Sequence, residues 1–446
     1  MFSNRGELMK LIKDRSSSII QGRSGHISFH VIEGEGRAFI VASVKTPAVA
    51  REAASLSYMQ IAEVLSERGL VVVHERIFGS LSVEHHVMSA RRQAFTSFGI
   101  SPENPVTYIE GNPPWGTGFA GVIIHAVKAD EAWTIMDSGV PCGRGWKLNG
   151  VTHLILQNIQ AIGSNQFITK NTKHHPPLNP LPSREGKKEV PSPLEGEGKG
   201  EGERIYTNDL FSMSKPTQTR RMLERAERIL RENGASYKDV VRTWFYLSDI
   251  LGWYAAFNKV RNEKYGEFAI MPGPGDRELL LPASTGIEGK SPTGAACAMD
   301  LIAVLNSENC TRKLSNPSQL DAFRYGSAFA RASVVRNGSA DLIEVSGTAA
   351  IDEHGVSLYP GDIRAQIDCT LDKVAALLKQ EDTGLKDICS STVFVKQPEF
   401  AEIFYEMAAA RGLENFPCVC IIADVCREEL LFEIDAEAIV KTGGKG

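Results

Sequence analysis

The stretch Ala423–Val440, which reads ADVCREELLFEIDAEAIV, contains the residues with the clearest potential for chemistry. From Leu431 onward apolar and acidic residues alternate, so a strand would place one set on each face. The acidic face would present Glu433, Asp435 and Glu437. On a solvated face such a row of carboxylates is ordinary. If another sheet or domain covers it, desolvation and like-charge repulsion raise the pKa of at least one carboxyl group. A carboxylic acid that stays protonated near neutral pH is a proton donor.

The elements that must position this strand occur three times along the chain. Each copy is predicted to contain an apolar strand, an amphipathic helix that ends at a glycine, a strand, a second helix and two more strands. The predicted copies span residues 26–130, 146–306 and 321–446. The glycines expected to end the first helices in the left-handed conformation are Gly69, Gly234 and Gly384. The stretches Asp130–Gly145 and Asn306–Leu320 are predicted to be linkers.

Composition narrows the class of protein. A net charge of -5, without a run of Lys and Arg interleaved with aromatics, argues against nucleic acid as a partner. Without an N-terminal apolar region, a membrane-length apolar run or a CxxC pair, the sequence favours a cytoplasmic protein with no membrane contact. The sequence shows no phosphate-binding glycine loop and no zinc spacing, so neither a cofactor nor a metal is expected. Residues 165–203, rich in Pro, Gly, Glu and Lys, are predicted to be a disordered insert in the second copy.

The third copy carries a family resemblance. The segments SSTVFVKQPEF, FPCVCIIAD and FEIDAEAIV follow the order seen in the RidA/YjgF family of small trimeric proteins. The resemblance covers nearly all of Arg324–Val440, weakens in the second copy and is faintest in the first. It implies an α+β fold in which each copy is a mixed sheet with two helices on one face. Three copies in one chain then imply an intramolecular pseudo-trimer with clefts between copies, and a monomer in solution. In that arrangement the acidic face is covered.

Further segments resemble chorismatases, which are RidA-fold enzymes that act on chorismate. They are RTWFYLSDI (Arg242–Ile250), LPASTGI (Leu281–Ile287), VSGTAAI (Val345–Ile351) and ADVCREELLFEID (Ala423–Asp435). This resemblance implies that Glu433 is the general acid and that Arg242 clamps a substrate carboxylate. It also implies that Ala283 and Cys426 line the pocket and shape the product, although both would be ordinary as small core residues.

The sequence also departs from its relatives. RidA-type imine deaminases carry a carboxylate-binding arginine where this chain has Val419, whose equivalent in the second copy is expected to be Ser284. Copies two and one have Ala298 and about Ile123 at the position of Glu433. Only one of the three clefts is therefore expected to be catalytic.

Chorismate is a dianion with an enolpyruvyl ether, and its hydrolysis begins with protonation of the terminal methylene carbon. Such a site needs a positioned acid and cations for two carboxylates. The fork of Arg242 suits a carboxylate, and Arg331 is a second cation candidate. Tyr246 shares a strand face with Arg242 and could wall a ring pocket, and Gly347 could bring its backbone N–H close to a ligand. The structural alternatives are that the two arginines lie on the surface, that Tyr246 packs in the core and that Gly347 forms a tight turn.

Together with these residues, the resemblance implies a chorismatase-like enzyme that acts on a small anionic substrate, chorismate or a close relative, and releases pyruvate. The other product would be a dihydroxycyclohexadiene carboxylate or a hydroxybenzoate, and the sequence does not choose between them. One alternative is a RidA-like enamine or imine deaminase, against which Val419 counts. The other is a non-catalytic protein that binds small carboxylates, because a fold does not by itself confer activity.

Overall fold

A computed structural model describes residues 19–24, 26–129, 131–163, 208–273, 280–305, 310–338 and 340–441. The insert predicted at 165–203 lies outside the described residues. The strands are β1 (Ile19–Ser24), β2 (Ile27–Gly34), β3 (Arg37–Val44), β4 (Val71–Gly79), β5 (Thr107–Glu110), β6 (Phe119–Val127), β7 (Glu131–Asp137), β8 (Val140–Leu148), β9 (Val151–Ile159), β10 (Val240–Leu247), β11 (Ala283–Glu288), β12 (Cys297–Val304), β13 (Thr311–Leu314), β14 (Ala332–Asn337), β15 (Ala340–Ala349), β16 (Ile388–Val395), β17 (Cys418–Ile422) and β18 (Phe432–Lys441). The helices are α1 (Ala50–Arg68), α2 (Glu84–Ser97), α3 (Asn208–Ser212), α4 (Lys215–Glu232), α5 (Ile250–Glu267), α6 (Ile363–Leu378) and α7 (Phe400–Ala410).

The strands form three six-stranded sheets of identical topology. The orders are β1-β2-β3-β6-β4-β5, β7-β8-β9-β12-β10-β11 and β13-β14-β15-β18-β16-β17, and we call the three parts units 1, 2 and 3. In each unit the last two strands are parallel and the other neighbours are antiparallel. Two long helices pack an apolar core against one face of each sheet. The predicted α+β fold of three tandem repeats, each a mixed sheet with two helices on one face, is confirmed.

The faces without helices meet around a pseudo-threefold axis. A single apolar cluster there combines residues from all three units. Three equivalent backbone hydrogen bonds close the ring, from Glu110 N to Lys290 O (2.8 Å), from Glu288 N to Asp424 O (3.1 Å) and from Ile422 N to Asn112 O (2.9 Å). These bonds establish which positions correspond between units.

The correspondence corrects two assignments made from the sequence. In unit 1 Gly121 pairs with Phe78, and in unit 3 Glu433 pairs with Phe394, which is the equivalent of Phe78. Gly121, rather than the predicted Ile123, therefore occupies the position of Glu433. The prediction for unit 2 is unchanged, because Ala298 holds that position opposite Tyr246. By the same counting, the counterpart of Val419 in unit 2 is Thr285 rather than Ser284.

The predicted linker at Asp130–Gly145 is wrong over its described residues, and the one at Asn306–Leu320 is wrong over residues 311–314, whereas residues 315–320 form neither strand nor helix. Residues 131–148 form β7 and β8 of the second sheet, and residues 311–314 form β13 of the third. The glycines that suggested a loop serve close packing instead: a Cβ at Gly143 would lie 2.1 Å from Ile155 O, and one at Gly145 would lie 2.2 Å from the Trp133 ring.

The helix ends follow the predicted glycine pattern in two units. Gly69 and Gly234 have φ values of 62° and 77°, as expected for left-handed residues at helix ends. Gly384 does not, because its φ is -151° and the left-handed residue after α6 is Asp382, with φ 54°. Among the described helices, none has the length and apolar character required to cross a bilayer.

Candidate active site

The acidic face of β18 is covered by the other two units. Glu433, Asp435 and Glu437 are all buried, with at most 5% of each residue exposed. The opposite face of the strand packs on α6 and α7 through the alternating apolar residues. Two arginines approach the acidic face, Arg242 from β10 of unit 2 and Arg76 from β4 of unit 1. The condition under which the sequence predicts a perturbed carboxyl group is therefore met.

Asp435 lies at the centre of this face and is held by several donors. Its carboxylate accepts hydrogen bonds from Thr285 Oγ1 (2.9 Å), Trp244 Nε1 (3.1 Å) and Thr392 N (3.2 Å). Arg242 Nη2 lies 3.2 Å from Asp435 Oδ2 and 2.7 Å from Thr285 Oγ1. The guanidinium of Arg242 is therefore engaged inside the protein rather than presented to a ligand.

Glu433 lies beside this network and faces a cavity. Burial raises the pKa of Glu433 to about 8, and the neighbouring Asp435 adds to the rise while Arg331 and Arg242 oppose it. Gly347 makes room for the carboxyl group, because a Cβ at this position would lie 2.2 Å from Glu433 Oε1. Glu433 is thus largely a neutral carboxylic acid at pH 7.

The cavity has a volume of about 670 Å³ and lies between units 2 and 3. We call it the Glu433 cavity. Unit 2 contributes α5 and β11, and unit 3 contributes the segment before β14, the end of β15 and the loop before β18. Its polar and charged lining includes Tyr254, Asn258, Arg261, Ser284, Arg331, Arg427 and Glu433.

Three arginines of the lining are held by neutral groups. Arg331 donates to Leu320 O and Tyr325 OH, Arg427 donates to Gly355 O and Ser357 Oγ, and Arg261 donates to Asn258 Oδ1. Within the described part of the chain, none of the three guanidinium groups has a carboxylate oxygen within 4.0 Å. Because these guanidinium groups form no described ion pair within the protein, they can bind the carboxylates of a ligand without breaking one.

The structure brings together four of the seven predicted site residues. Glu433, Arg331, Gly347 and Cys426 line the cavity. The other three do not line it: Arg242 is paired with Asp435, Tyr246 packs against Phe78 at the axis with ring centroids 6.5 Å apart, and Ala283 is fully buried on β11 next to Ser284.

Sequence reasoning overlooked the contribution of α5. Tyr254, Asn258 and Arg261 follow one another at helical spacings of four and three residues, so they share a face of the helix. That face lines the Glu433 cavity. The spacing was visible in the sequence, but only the docking of unit 2 on unit 3 shows which surface the face meets.

One protein-family model matches two stretches of the chain. Residues 201–273 and 327–440 match the family model described as Endoribonuclease L-PSP. The two matches fall in units 2 and 3. The predicted resemblance to RidA/YjgF-like proteins and to chorismatases is confirmed.

Two individual proteins refine the likeness. The chain is 26% identical over 224 residues to a 3-hydroxybenzoate synthase of Streptomyces hygroscopicus, which covers 45% of this chain and 63% of that protein. The chain thus spans less than two thirds of the length of that relative. A crystal structure of a chorismatase superimposes with a TM-score of 0.53 at 18% identity, covering 82% of this chain and 92% of the other. The structural likeness establishes the fold.

Proposed function

We propose that this protein is a chorismatase-like enzyme that cleaves the enolpyruvyl ether of chorismate or a close relative and releases pyruvate. The observation that carries the proposal is a buried Glu433 that faces a cavity lined by three arginines, none of which has a described carboxylate oxygen within 4.0 Å. Burial raises the pKa of Glu433 to about 8. The similarity to a 3-hydroxybenzoate synthase and to a chorismatase supports it.

The arginines account for binding of a dianion. In the proposal, Arg331 and Arg427 from unit 3 and Arg261 from unit 2 share the two carboxylates of the substrate. Arg261 takes the role that the sequence assigned to Arg242. Since Arg261 also lies 5.4 Å from the Phe257 ring and 5.8 Å from the Phe329 ring, its guanidinium is held between aromatic faces.

Glu433 supplies the chemistry. Its carboxylic acid donates a proton to the terminal methylene carbon, which becomes a methyl group as the ether carbon becomes an oxocarbenium ion. The carboxylate of Glu433 that remains is stabilised by Arg331 and Arg242, the two cations that already oppose its raised pKa. Water adds to the cationic carbon and gives a proton to the Glu433 carboxylate, which restores the acid. The hemiketal then breaks its bond to the ether oxygen on the ring, and its hydroxyl proton passes to that oxygen, giving pyruvate and a ring alcohol. Capture by an oxygen of the substrate instead would lead to a hydroxybenzoate.

The test is a pyruvate assay with chorismate as substrate. Glu433→Gln should lower the rate about 10²- to 10⁴-fold, the usual contribution of a general acid. Glu437→Gln is the matched control, because Glu437 is buried on the same face of β18 but does not line the cavity.

Three outcomes would count against the proposal. Turnover that is unchanged in Glu433→Gln removes the acid from the mechanism. Binding of chorismate without turnover indicates a carboxylate-binding protein. Turnover only of imines derived from amino acids indicates a deaminase.

A further inference from the structure

A lysine and a cysteine from opposite ends of the chain meet where unit 3 packs against unit 1. Lys45 directly follows β3 of unit 1, and Cys418 is the first residue of β17 in unit 3. The Nζ atom of Lys45 lies 3.6 Å from Cys418 Sγ, although the two residues are 373 positions apart in sequence. Units 1 and 2, and units 2 and 3, are consecutive in the chain. A bond at this interface would therefore close the ring of three units covalently.

The amine of Lys45 is held by neutral groups. Its Nζ donates to Tyr405 OH at 2.8 Å, lies 3.5 Å from Cys418 O and stands 4.2 Å from the centroid of the Tyr405 ring. Among the residues with described positions, no carboxylate oxygen lies within 4.0 Å of this group. Lys45 can therefore lose its proton without breaking an ion pair, and the neutral amine that results is a nucleophile.

The sulfur of Cys418 has a second polar neighbour in Tyr405, whose hydroxyl oxygen lies 3.9 Å from Sγ. Burial raises the pKa of Tyr405 well above its ordinary value, so the group remains a phenol with a proton to donate. An oxygen added to the sulfur would thus have a hydrogen-bond donor on one side and an amine on the other.

The sulfur can be reached by small reagents. Lys45 and Tyr405 line a cleft of about 420 Å³ between the two units. Cys418 is fully buried, whereas Lys45 is half-buried and lies between the sulfur and the cleft. A movement of the flexible Lys45 side chain opens a path for hydrogen peroxide, which is little larger than water, but not for bulky oxidants.

We propose that Lys45 and Cys418 are a redox-sensitive modification site, at which hydrogen peroxide joins Lys45 Nζ to Cys418 Sγ in a reversible sulfenamide cross-link. The link ties unit 1 to unit 3. It does not depend on the function proposed above.

The reaction takes place in two steps and consumes one peroxide. The sulfur of Cys418 attacks the peroxide and the O–O bond breaks, which gives a sulfenic acid and one water; the sulfur loses two electrons and the peroxide gains them. The nitrogen of Lys45, after its ammonium proton has passed to solvent, then forms a bond to sulfur. The S–OH bond breaks, and the hydroxide leaves with a proton from nitrogen as a second water. Two equivalents of a thiol reduce the S–N bond, restore both side chains and become a disulfide.

The test is treatment of the full chain with hydrogen peroxide at pH 8.5, followed by a denaturing gel and mass spectrometry of peptides. A chain joined between residues 45 and 418 should migrate faster than the linear chain. Its digest should contain a peptide pair that is lighter by two hydrogens than the two reduced peptides together. Dithiothreitol should abolish both signals.

Three variants identify the atoms involved. Lys45→Met removes the amine and Cys418→Ser removes the sulfur, so each should lower the yield of cross-linked chain at least about tenfold. Cys420→Ser is the matched control and should keep the full yield, because Cys420 lies two residues further along β17 and is also buried. Thermal melting before treatment verifies that each variant is folded.

Two results would overturn the proposal. A gel shift that persists in Lys45→Met would show that two cysteines had formed a disulfide instead. Cys418 that stays reduced, or becomes a sulfinic acid without attachment to Lys45, would show that the pair does not react. Because no step uses chorismate, this test and the pyruvate assay can fail independently.

Discussion

The protonation state of Glu433 gives a quantitative prediction for the pH dependence of catalysis. With a pKa of about 8, the carboxyl group is protonated in about 90% of molecules at pH 7, about half at pH 8 and about 10% at pH 9. A glutamate at the ordinary value of 4.5 would be protonated in only about 0.3% of molecules at pH 7. Since the acid form is the reactive one, kcat/KM should fall about tenfold per pH unit above pH 8 and level off below pH 7.

Substrate should move this midpoint upward. Arg331 lowers the pKa of Glu433 in the free protein, and a bound carboxylate would neutralise part of that charge. The pH at which kcat falls to half, which reports on the complex, should therefore be higher than the midpoint for kcat/KM. Reversal of this order would show that the arginines do not hold the substrate next to Glu433.

Initial rates between pH 6 and 9.5 at constant ionic strength provide the measurement, with pyruvate quantified chromatographically after quenching. Glu437→Gln should keep the midpoint near pH 8, whereas the residual rate of Glu433→Gln should lose this dependence. A flat profile, a rate that rises with pH, or a tenfold fall per pH unit over the whole range would refute the argument that burial holds Glu433 protonated.

Three further perturbations test the position of Glu433 and the contribution of the buried charges to stability. Gly347→Ala places a Cβ 2.2 Å from Glu433 Oε1, so the acid must move and the rate of pyruvate release should fall about 10- to 100-fold in a folded protein. Arg242→Met removes the nearer of the two arginines that pair with buried Asp435, Arg76 being 3.9 Å away, and should lower the free energy of unfolding by about 3–5 kcal/mol in urea titrations. The free energy of unfolding should also fall by about 1–3 kcal/mol between pH 6.5 and 8, because ionisation of carboxyl groups with raised folded-state pKa values is costly. Those groups are Glu344, Glu433 and Glu437.

Each of these has a control. Gly266→Ala, on α5 where an added Cβ has no described atom within 4 Å, should leave the rate unchanged. Arg220→Met removes an exposed ion pair with Glu263 and should cost at most about 1 kcal/mol. For the pH effect, Lys313 acts in the opposite direction because burial lowers its pKa to about 7. Burial also lowers the pKa values of His74, His125 and His153, so these groups reduce the expected fall without cancelling it. Equal effects of Gly347→Ala and Gly266→Ala, or of the two arginine variants, would contradict the structural argument. So would stability that rises from pH 6.5 to 8.

The local elements could be predicted because their signals are local. The alternation in β18, the glycines after α1 and α4 and the order of elements in each unit all depend on residues close in sequence. The resemblance of separate segments to one family also made it possible to predict how the three units assemble. It also identified Glu433, whose covered environment follows once three bare sheet faces must meet.

The errors arose where contacts join distant parts of the chain. Arg242 looked like a ligand for substrate, but Asp435, which lies 193 residues away, accepts its hydrogen bond. The linker predicted at Asp130–Gly145 rested on glycines that cannot be distinguished from loop glycines in the sequence. Only the structure shows that Gly143 packs against Ile155 and Gly145 against Trp133.

The sequence by itself determined the repeated unit, its strand and helix pattern, and the row of carboxylates on one face of β18. The tertiary structure decided which of those carboxylates lines a cavity and which forms an internal ion pair. It also placed Arg261 on α5, rather than Arg242, in the lining of the Glu433 cavity. The physical reason is that strand alternation is set by backbone geometry, whereas desolvation and charge pairing depend on which unit packs against the face.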